Sequence, residues 1–248
     1  MLEFYLRLMQ FKETRKIWIA NMPRRNPYKT CRSPGQLTGK QGLHMTRRMQ
    51  ETEIALTQWE AGAIFISIDL EAWDQDSRYL SQIGIVAFNI AGVVASRHFI
   101  VSENIKRRNR YMTNFKTAYA FGPSTTIHEH EISDYMDDVI KGLQRYQKEV
   151  ILLAHNIASD MRMFENSLSR WRPPQDTITI DSVSLISTIR SDFNVPSLTN
   201  CCTEYGVKIQ KSHMHCAGND AWYTAKLTWM LLSSYCIEYN RFQNPLIH

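Results

Sequence analysis

Five residues of this chain have types and spacings suited to phosphoryl chemistry: Asp69 and Glu71, Asp160, and His215 with Asp220. Asp69-Leu70-Glu71 ends the apolar run Ala63–Leu70 (AIFISIDL), and residues two apart on a strand return their side chains to one face. Both carboxylates therefore point the same way. Asp160 follows a second apolar run, Val150–Ala154 (VILLA), at a strand-to-helix junction, and His215 and Asp220, in H-x4-D spacing, open the last long helix. Each feature alone also fits a plainer role: acids where a strand runs into solvent, or Asp160 as a helix cap in competition with Ser159. Their order along the chain carries more than any single match. Four carboxylates converging on one sheet edge would raise each other's pKa values unless cations neutralised them. Oxygen ligands favour two divalent cations, Mg²⁺ or Mn²⁺, over zinc. Two such ions about 4 Å apart stabilise the attacking and leaving oxygens of an in-line phosphoryl displacement. A histidine, which changes charge near neutral pH, suits the proton of the attacking water.

The elements that must hold these residues follow from periodicity. Ala63–Leu70, Ser81–Asn89 and Val93–Val101 read as strands joined by short turns, an antiparallel meander. Between His128 and Lys148, Ile132, Tyr135, Met136, Val139, Ile140, Leu143 and Tyr146 recur at helical spacing. Val150–Ala154 and Thr177–Asp181 add two strands, and helices are expected over Asp160–Arg170, Val183–Ser191, Ser197–Tyr205 and Asn219–Tyr239. The βββαβαβα order predicts an α/β sandwich with helices on a mixed five-stranded sheet.

Composition sets the frame. The 248 residues, 44% hydrophobic and 21% charged with 10 Gly and 8 Pro, exclude collagen-like, low-complexity and wholly disordered classes. Charge is uneven. Residues 1–50 carry 11 Lys/Arg against Glu3 and Glu13, a balance of +9, whereas residues 51–248 carry 18 against 22, a balance of −4. This predicts a basic, flexible arm over residues 1–60, one catalytic-size domain over 61–242, and a short tail over 243–248. No apolar run approaches the ~20 residues that span a bilayer, so no membrane partner is expected. Five cysteines without a paired framework suit a reducing, intracellular compartment, cytoplasmic or nuclear, with a mitochondrial location as the alternative. Zinc on His213, His215, Cys216, Cys201 and Cys202 is a competing assignment, although no C-x2-C or H-x3-H spacing accompanies it. His128-Glu129-His130-Glu131 reads as the solvated start of a helix.

The chain resembles the DEDDh exonucleases of the DnaQ-like, ribonuclease H-like superfamily over roughly residues 62–240. Phe65–Trp73 is similar to their first motif, Gln82-Ile83-Gly84-Ile85 to the E-I-G-I of the second strand, Leu153–Asp160 to the second motif, Asp181-Ser182 to the D-T/S that follows, and His215–Asp220 to the third. The resemblance implies a three-layer, ribonuclease H-like sandwich and 3′-to-5′ removal of nucleoside monophosphates. By the same resemblance Asp69, Glu71 and Asp220 would hold the metals, with Asp160 completing the site directly or through water. His215 would be the general base, and His155 and Asn156 would contact substrate. A closer likeness is to a fungal branch, through His215–Ala221 (HCAGNDA), Arg108-Asn109 and Tyr119–Ser124. Cys216 stands where Asn is usual, Gln82 where Glu is common, and no Thr follows Asp69. No metal ligand is lost by these departures.

The expected partner is RNA or single-stranded DNA. In a meander the first and third strands end at the same sheet edge, so the segment Ser102–Tyr111, with Lys106, Arg107, Arg108 and Arg110, emerges beside Asp69 and Glu71. Basic side chains there suit backbone phosphates as well as a solvated loop. Trp73 suits either stacking on a terminal base or packing under that loop. The alternative function is a catalytically inactive ribonuclease H-like domain that binds nucleic acid or protein.

Overall fold

The computed structural model describes residues 40–110, 118–145, 149–190 and 192–243. Strands β1 (Ile64–Trp73), β2 (Asp76–Asn89) and β3 (Gly92–Val101) form the expected antiparallel meander. β5 (Val150–Ala154) pairs parallel to β1, and β6 (Ile178–Asp181) parallel to β5. Among the described residues the sheet has six strands rather than five, in the order β4-β3-β2-β1-β5-β6. The added strand is β4 (Ser124–Ile127), parallel to β3 at the sheet edge. Its four residues, STTI, expose all but Ile127 and carry no apolar alternation to announce a strand.

A second difference lies before the sheet. Residues 40–60, expected to belong to the flexible arm, are helical: α1 (Lys40–Glu60) buries Ala55 and Trp59 in the core. The Trp59 ring meets Phe65 edge-on at 5.7 Å and lies 6.3 Å from Phe88. The rest of the expected arm, residues 1–39, lies outside the described residues. Among the described side chains of α1, only Met45, Thr52, Ala55 and Trp59 are buried. So narrow a stripe, among Arg47, Arg48 and Glu51, leaves little amphipathic signal.

The remaining helices are α2 (Ile132–Gln144), α3 (Ile157–Asn166), α4 (Ser182–Arg190), α5 (Leu198–Glu204) and α6 (Ala217–Gln243). They cover both sheet faces, because alternate residues of each central strand face opposite sides. Ile66, Ile68 and Leu70 of β1 pack with Ile132, Met136 and Ile140 of α2 and Phe164 of α3. Phe65 packs on the other side with Leu185 and Ile186 of α4 and Leu227 and Leu231 of α6. This is the expected three-layer architecture. Asp69 and Glu71 share the parity of Phe65 and so emerge on the α6 side, opposite Gly84 and Gln82 of β2. The β1–β2 register slips immediately after Glu71, a bulge of the kind that re-aims side chains at a strand end.

Candidate active site

Asp69 and Glu71 come from β1, and Asp220 reaches them because the first turn of α6 lies directly on β2. That approach depends on Gly84. A Cβ there would fall 1.9 Å from the carbonyl oxygen of Ala217 and 2.7 Å from the nitrogen of Gly218. Asp220 Oδ2 accepts a hydrogen bond from His215 N at 2.9 Å, whereas its Oδ1 is buried without a partner. His215 itself is exposed and adopts a left-handed backbone, φ 62°. Glu71, His215 and Asp220 each offer one ligand atom within 4.8 Å of the others.

Asp160 enters from α3. The cap of that helix is Asn156, in the left-handed region at φ 73°, so the capping role does not fall to Asp160. Asp160 Oδ1 instead accepts from Leu70 N at 3.0 Å. The β1–β5 pairing stops at Ser67 and Leu153, and this carboxylate satisfies the strand just beyond it.

Burial and mutual repulsion make the cluster costly to ionise. Burial, then the charges of Asp220, Asp160 and Glu71, push Asp69 well above the usual carboxylate range. Glu71 is pushed up to about 8 by burial and by Asp220 and Asp160. Burial pushes Asp160 and Asp220 up to about 7, even though Leu70 N and His215 N donate to them. Four carboxyl groups and one orphaned buried oxygen form a site short of positive charge. An all-oxygen donor set of this kind fits hard divalent cations.

Several supporting residues carried no role in the sequence. His98 on β3 is held neutral by burial, which lowers its pKa to about 4. Gln82 Oε1, 2.9 Å from His98 Nε2, requires the ring proton on Nε2, and Nδ1 then accepts from Ser124 Oγ at 2.8 Å. Cys216 Sγ lies 3.8 Å from the same Nε2. Burial raises this thiol to about 11. Two of the three departures from the motifs, Gln82 and Cys216, thus meet at one buried histidine. Asn219 ties α6 to two segments: its Nδ2 donates to Ala118 O and His213 O, both at 2.8 Å, and its Oδ1 accepts from Ala120 N at 2.9 Å. Apart from the Asn219–His213 bond, these contacts join chain segments distant in sequence, and no local spacing announces them.

Asp181 fixes the turn that carries Asn156. Its Oδ1 accepts from Asn156 N and Val183 N, both at 2.9 Å. Asp181→Ala leaves both donors without this acceptor and is expected to cost roughly 1–3 kcal/mol. A urea midpoint identical to that of the unmodified chain would refute this.

The loop after β3 emerges where expected. Asn109 Oδ1 accepts from Asp74 N, and Nδ2 donates to Ala72 O, each at 3.2 Å. Trp73 is half-buried against that loop: its Nε1 donates to Arg108 O at 3.1 Å, and the Arg107 guanidinium lies 4.8 Å from its ring centroid and 3.7 Å from that of Tyr79. Lys106, Arg108 and Arg110 are exposed. Tyr111 lies outside the described residues. His155, whose pKa burial lowers to about 4, shares a 2.9 Å hydrogen bond with Ser182 Oγ, and Asn156 is exposed. The zinc set is not assembled. Cys201 and Cys202 are buried in the apolar core, and among the described residues no cysteine joins a group able to hold a metal.

Residues 64–231 match the family model DEDDh_C, described as DNA polymerase III subunit epsilon-like, C-terminal domain. No curated protein matches the chain significantly. The fold is similar to the crystal structure of a full-length 3′-exonuclease, with TM-score 0.52 and 16% identity, over 71% of this chain and 62% of that one. A zinc ion bound E. coli ExoI–ssDNA complex aligns with TM-score 0.48 and 13% identity, over 73% of this chain and 43% of that one. The chain thus spans about three-fifths of the first structure's length and less than half of the second's.

Proposed function

The chain belongs to the DEDDh family of DNA polymerase III subunit epsilon-like proteins, and from that premise we propose that it is a metal-dependent 3′–5′ exonuclease acting on RNA or single-stranded DNA. The observation that carries the proposal is the convergence of Asp69, Glu71, Asp160 and Asp220, all with raised pKa values, around an unpartnered Asp220 Oδ1. Asp69, Glu71 and Asp220 would hold two divalent cations, Mg²⁺ or Mn²⁺, with Asp160 completing the site directly or through water. Bound there, the cations supply positive charge for the attacking and leaving oxygens.

The chain's own residues do the rest. His215, exposed beside Glu71 and Asp220, accepts a proton from the attacking water at an imidazole nitrogen. The water oxygen bonds to phosphorus, the P–O3′ bond of the penultimate nucleotide breaks, its 3′ oxygen takes up a proton, and a nucleoside 5′-monophosphate leaves. Asp220 holds the backbone of His215 through its N–H. Lys106, Arg108 and Arg110 offer charge to the phosphates upstream. His155 and Asn156 would contact the strand at the turn entering α3. The finer likeness to the fungal branch rests on His215–Ala221 and on Tyr119–Ser124.

The deciding experiment incubates purified protein with 5′-labelled single strands of RNA and DNA in Mg²⁺, Mn²⁺ or EDTA. Stepwise shortening from the 3′ end is expected with metal and not with EDTA, and Asp69→Ala should abolish it. Equal shortening by Asp69→Ala would reject the assignment. Binding without shortening in every metal would favour the inactive, nucleic-acid-binding alternative.

A further inference from the structure

A second cluster of metal-ligating side chains lies apart from the carboxylates. β3 and β4 run parallel with Val101 opposite Ile127, so the residues that follow each strand leave the sheet side by side. One segment brings Ser102 and Glu103, the other His128 and His130. Sequence spacing alone leaves those histidines as a solvated helix start, because Glu103 is remote along the chain.

The three groups are already drawn together. Glu103 Oε1 lies 3.0 Å from His128 Nδ1, and Ser102 Oγ lies 2.9 Å from the same nitrogen. Glu103 Oε2 accepts from Glu129 N at 3.2 Å, and Glu131 Oε2 accepts from His128 N at 2.9 Å in a capping box. The His128 and His130 rings stack with centroids 5.5 Å apart. One ligand atom from each of Glu103, His128 and His130 lies within 4.8 Å of the others, and all three residues are exposed.

We propose that Glu103, His128 and His130 form a second metal site, for a transition metal of the zinc class. Two imidazoles and one carboxylate are a borderline-soft set that suits zinc, with water in the fourth position, whereas magnesium prefers oxygen ligands alone. Ligands about 2.0–2.2 Å from one ion stand closer together than 4.8 Å. Rotation of the exposed imidazoles closes that gap while the His128 N–Glu131 half of the capping box and the Glu103–Glu129 bond hold the backbone. Glu103 stands at the root of the segment that carries Lys106–Arg110, so the ion would clamp that basic loop to the turn after β4.

The test titrates Zn²⁺ into the full chain in excess Mg²⁺, which loads the carboxylate site, and reads heat and, with Co²⁺, visible absorption. One zinc equivalent is expected to persist. His128→Ala/His130→Ala should remove it, and Glu103→Gln, which keeps one acceptor oxygen for Glu129 N and replaces the other with an amide NH₂ that cannot ligate, should weaken it at least about tenfold. Asp220→Ala should retain it. Zinc should also slow tryptic cleavage after Lys106, Arg108 and Arg110 in the unmodified chain and not in the double variant. Absence of a zinc equivalent in excess Mg²⁺, or unchanged zinc affinity in Glu103→Gln, would overturn the proposal and leave the nuclease assignment untouched.

Discussion

Gly84→Ala is expected to lower stability by more than about 3 kcal/mol, beyond the usual range for one added methyl group in a packed interior. The added Cβ would sit 1.9 Å from Ala217 O and 2.3 Å from Ala217 C. These are backbone atoms of the first turn of α6, so no side-chain rotation relieves the clash. Either β2 or the helix start must move. Asp220 rides on that turn, and Asp69 stands opposite Gly84 in the β1–β2 register. The same shift should therefore weaken divalent-cation binding, measured by Mn²⁺ titration of the folded fraction. Gly142 in α2 is the matched control, because a Cβ there meets nothing within 4 Å. Alanine at that helical position should stabilise by roughly 0.5–1 kcal/mol. Urea denaturation of both variants decides the matter, and a Gly84→Ala midpoint equal to the unmodified chain's would show that α6 does not rest on β2 as described.

Without divalent cations the protein is expected to lose stability as pH rises from 6.5 to 8.5. Unfolded carboxyl groups are ionised throughout this window, whereas the folded state holds Asp160 and Asp220 near 7, Glu71 near 8 and Asp69 well above the usual range. The folded state therefore carries protons that the unfolded chain has released, and stability falls as those protons leave. The buried histidines act in the opposite sense, but lower down. His98 and His155, both near 4, cost stability as pH falls through the ordinary histidine range, and the buried thiols of Cys201, Cys202 and Cys216, pushed up to about 11 to 12, add only a smaller fall of the same sign as the carboxylates near pH 8.5. The fall should amount to a few kcal/mol, at about 1.4 kcal/mol per pKa unit for each group, or roughly 2–4 °C in Tm per kcal/mol for a chain of this size. Mg²⁺ or Mn²⁺ should abolish it at pH 8.5, because cations neutralise the charges that destabilise the fold. A Tm that rises across this window in EDTA, or that metal leaves unchanged at pH 8.5, would contradict the electrostatics of the site.

Asp69-x-Glu71 was legible because strand parity is local: two residues along β1 return to one face whatever packs above. The apolar runs of β1, β2, β3 and β5 and the amphipathic face of α2 were legible for the same reason. So was the emergence of the basic loop beside the carboxylates, since a meander returns its third strand to the edge of its first. β4 and α1 were not, because an edge strand of three exposed polar residues and one Ile, and a narrow stripe of Met45, Thr52, Ala55 and Trp59, leave almost no periodic trace.

The sequence by itself determined which residues could bind cations, on which elements they ride and in what order, since side-chain chemistry and local periodicity do not depend on the rest of the chain. Only the tertiary structure decided that Asp160 bonds Leu70 N rather than capping a helix, and that Trp73 lies under Arg107. It likewise decided that Cys216 and Gln82 meet at His98, and that Glu103 reaches His128. Each of these is a contact between distant segments, fixed by how strands pair and how closely α6 lies on Gly84, and no window of neighbouring residues encodes such a distance.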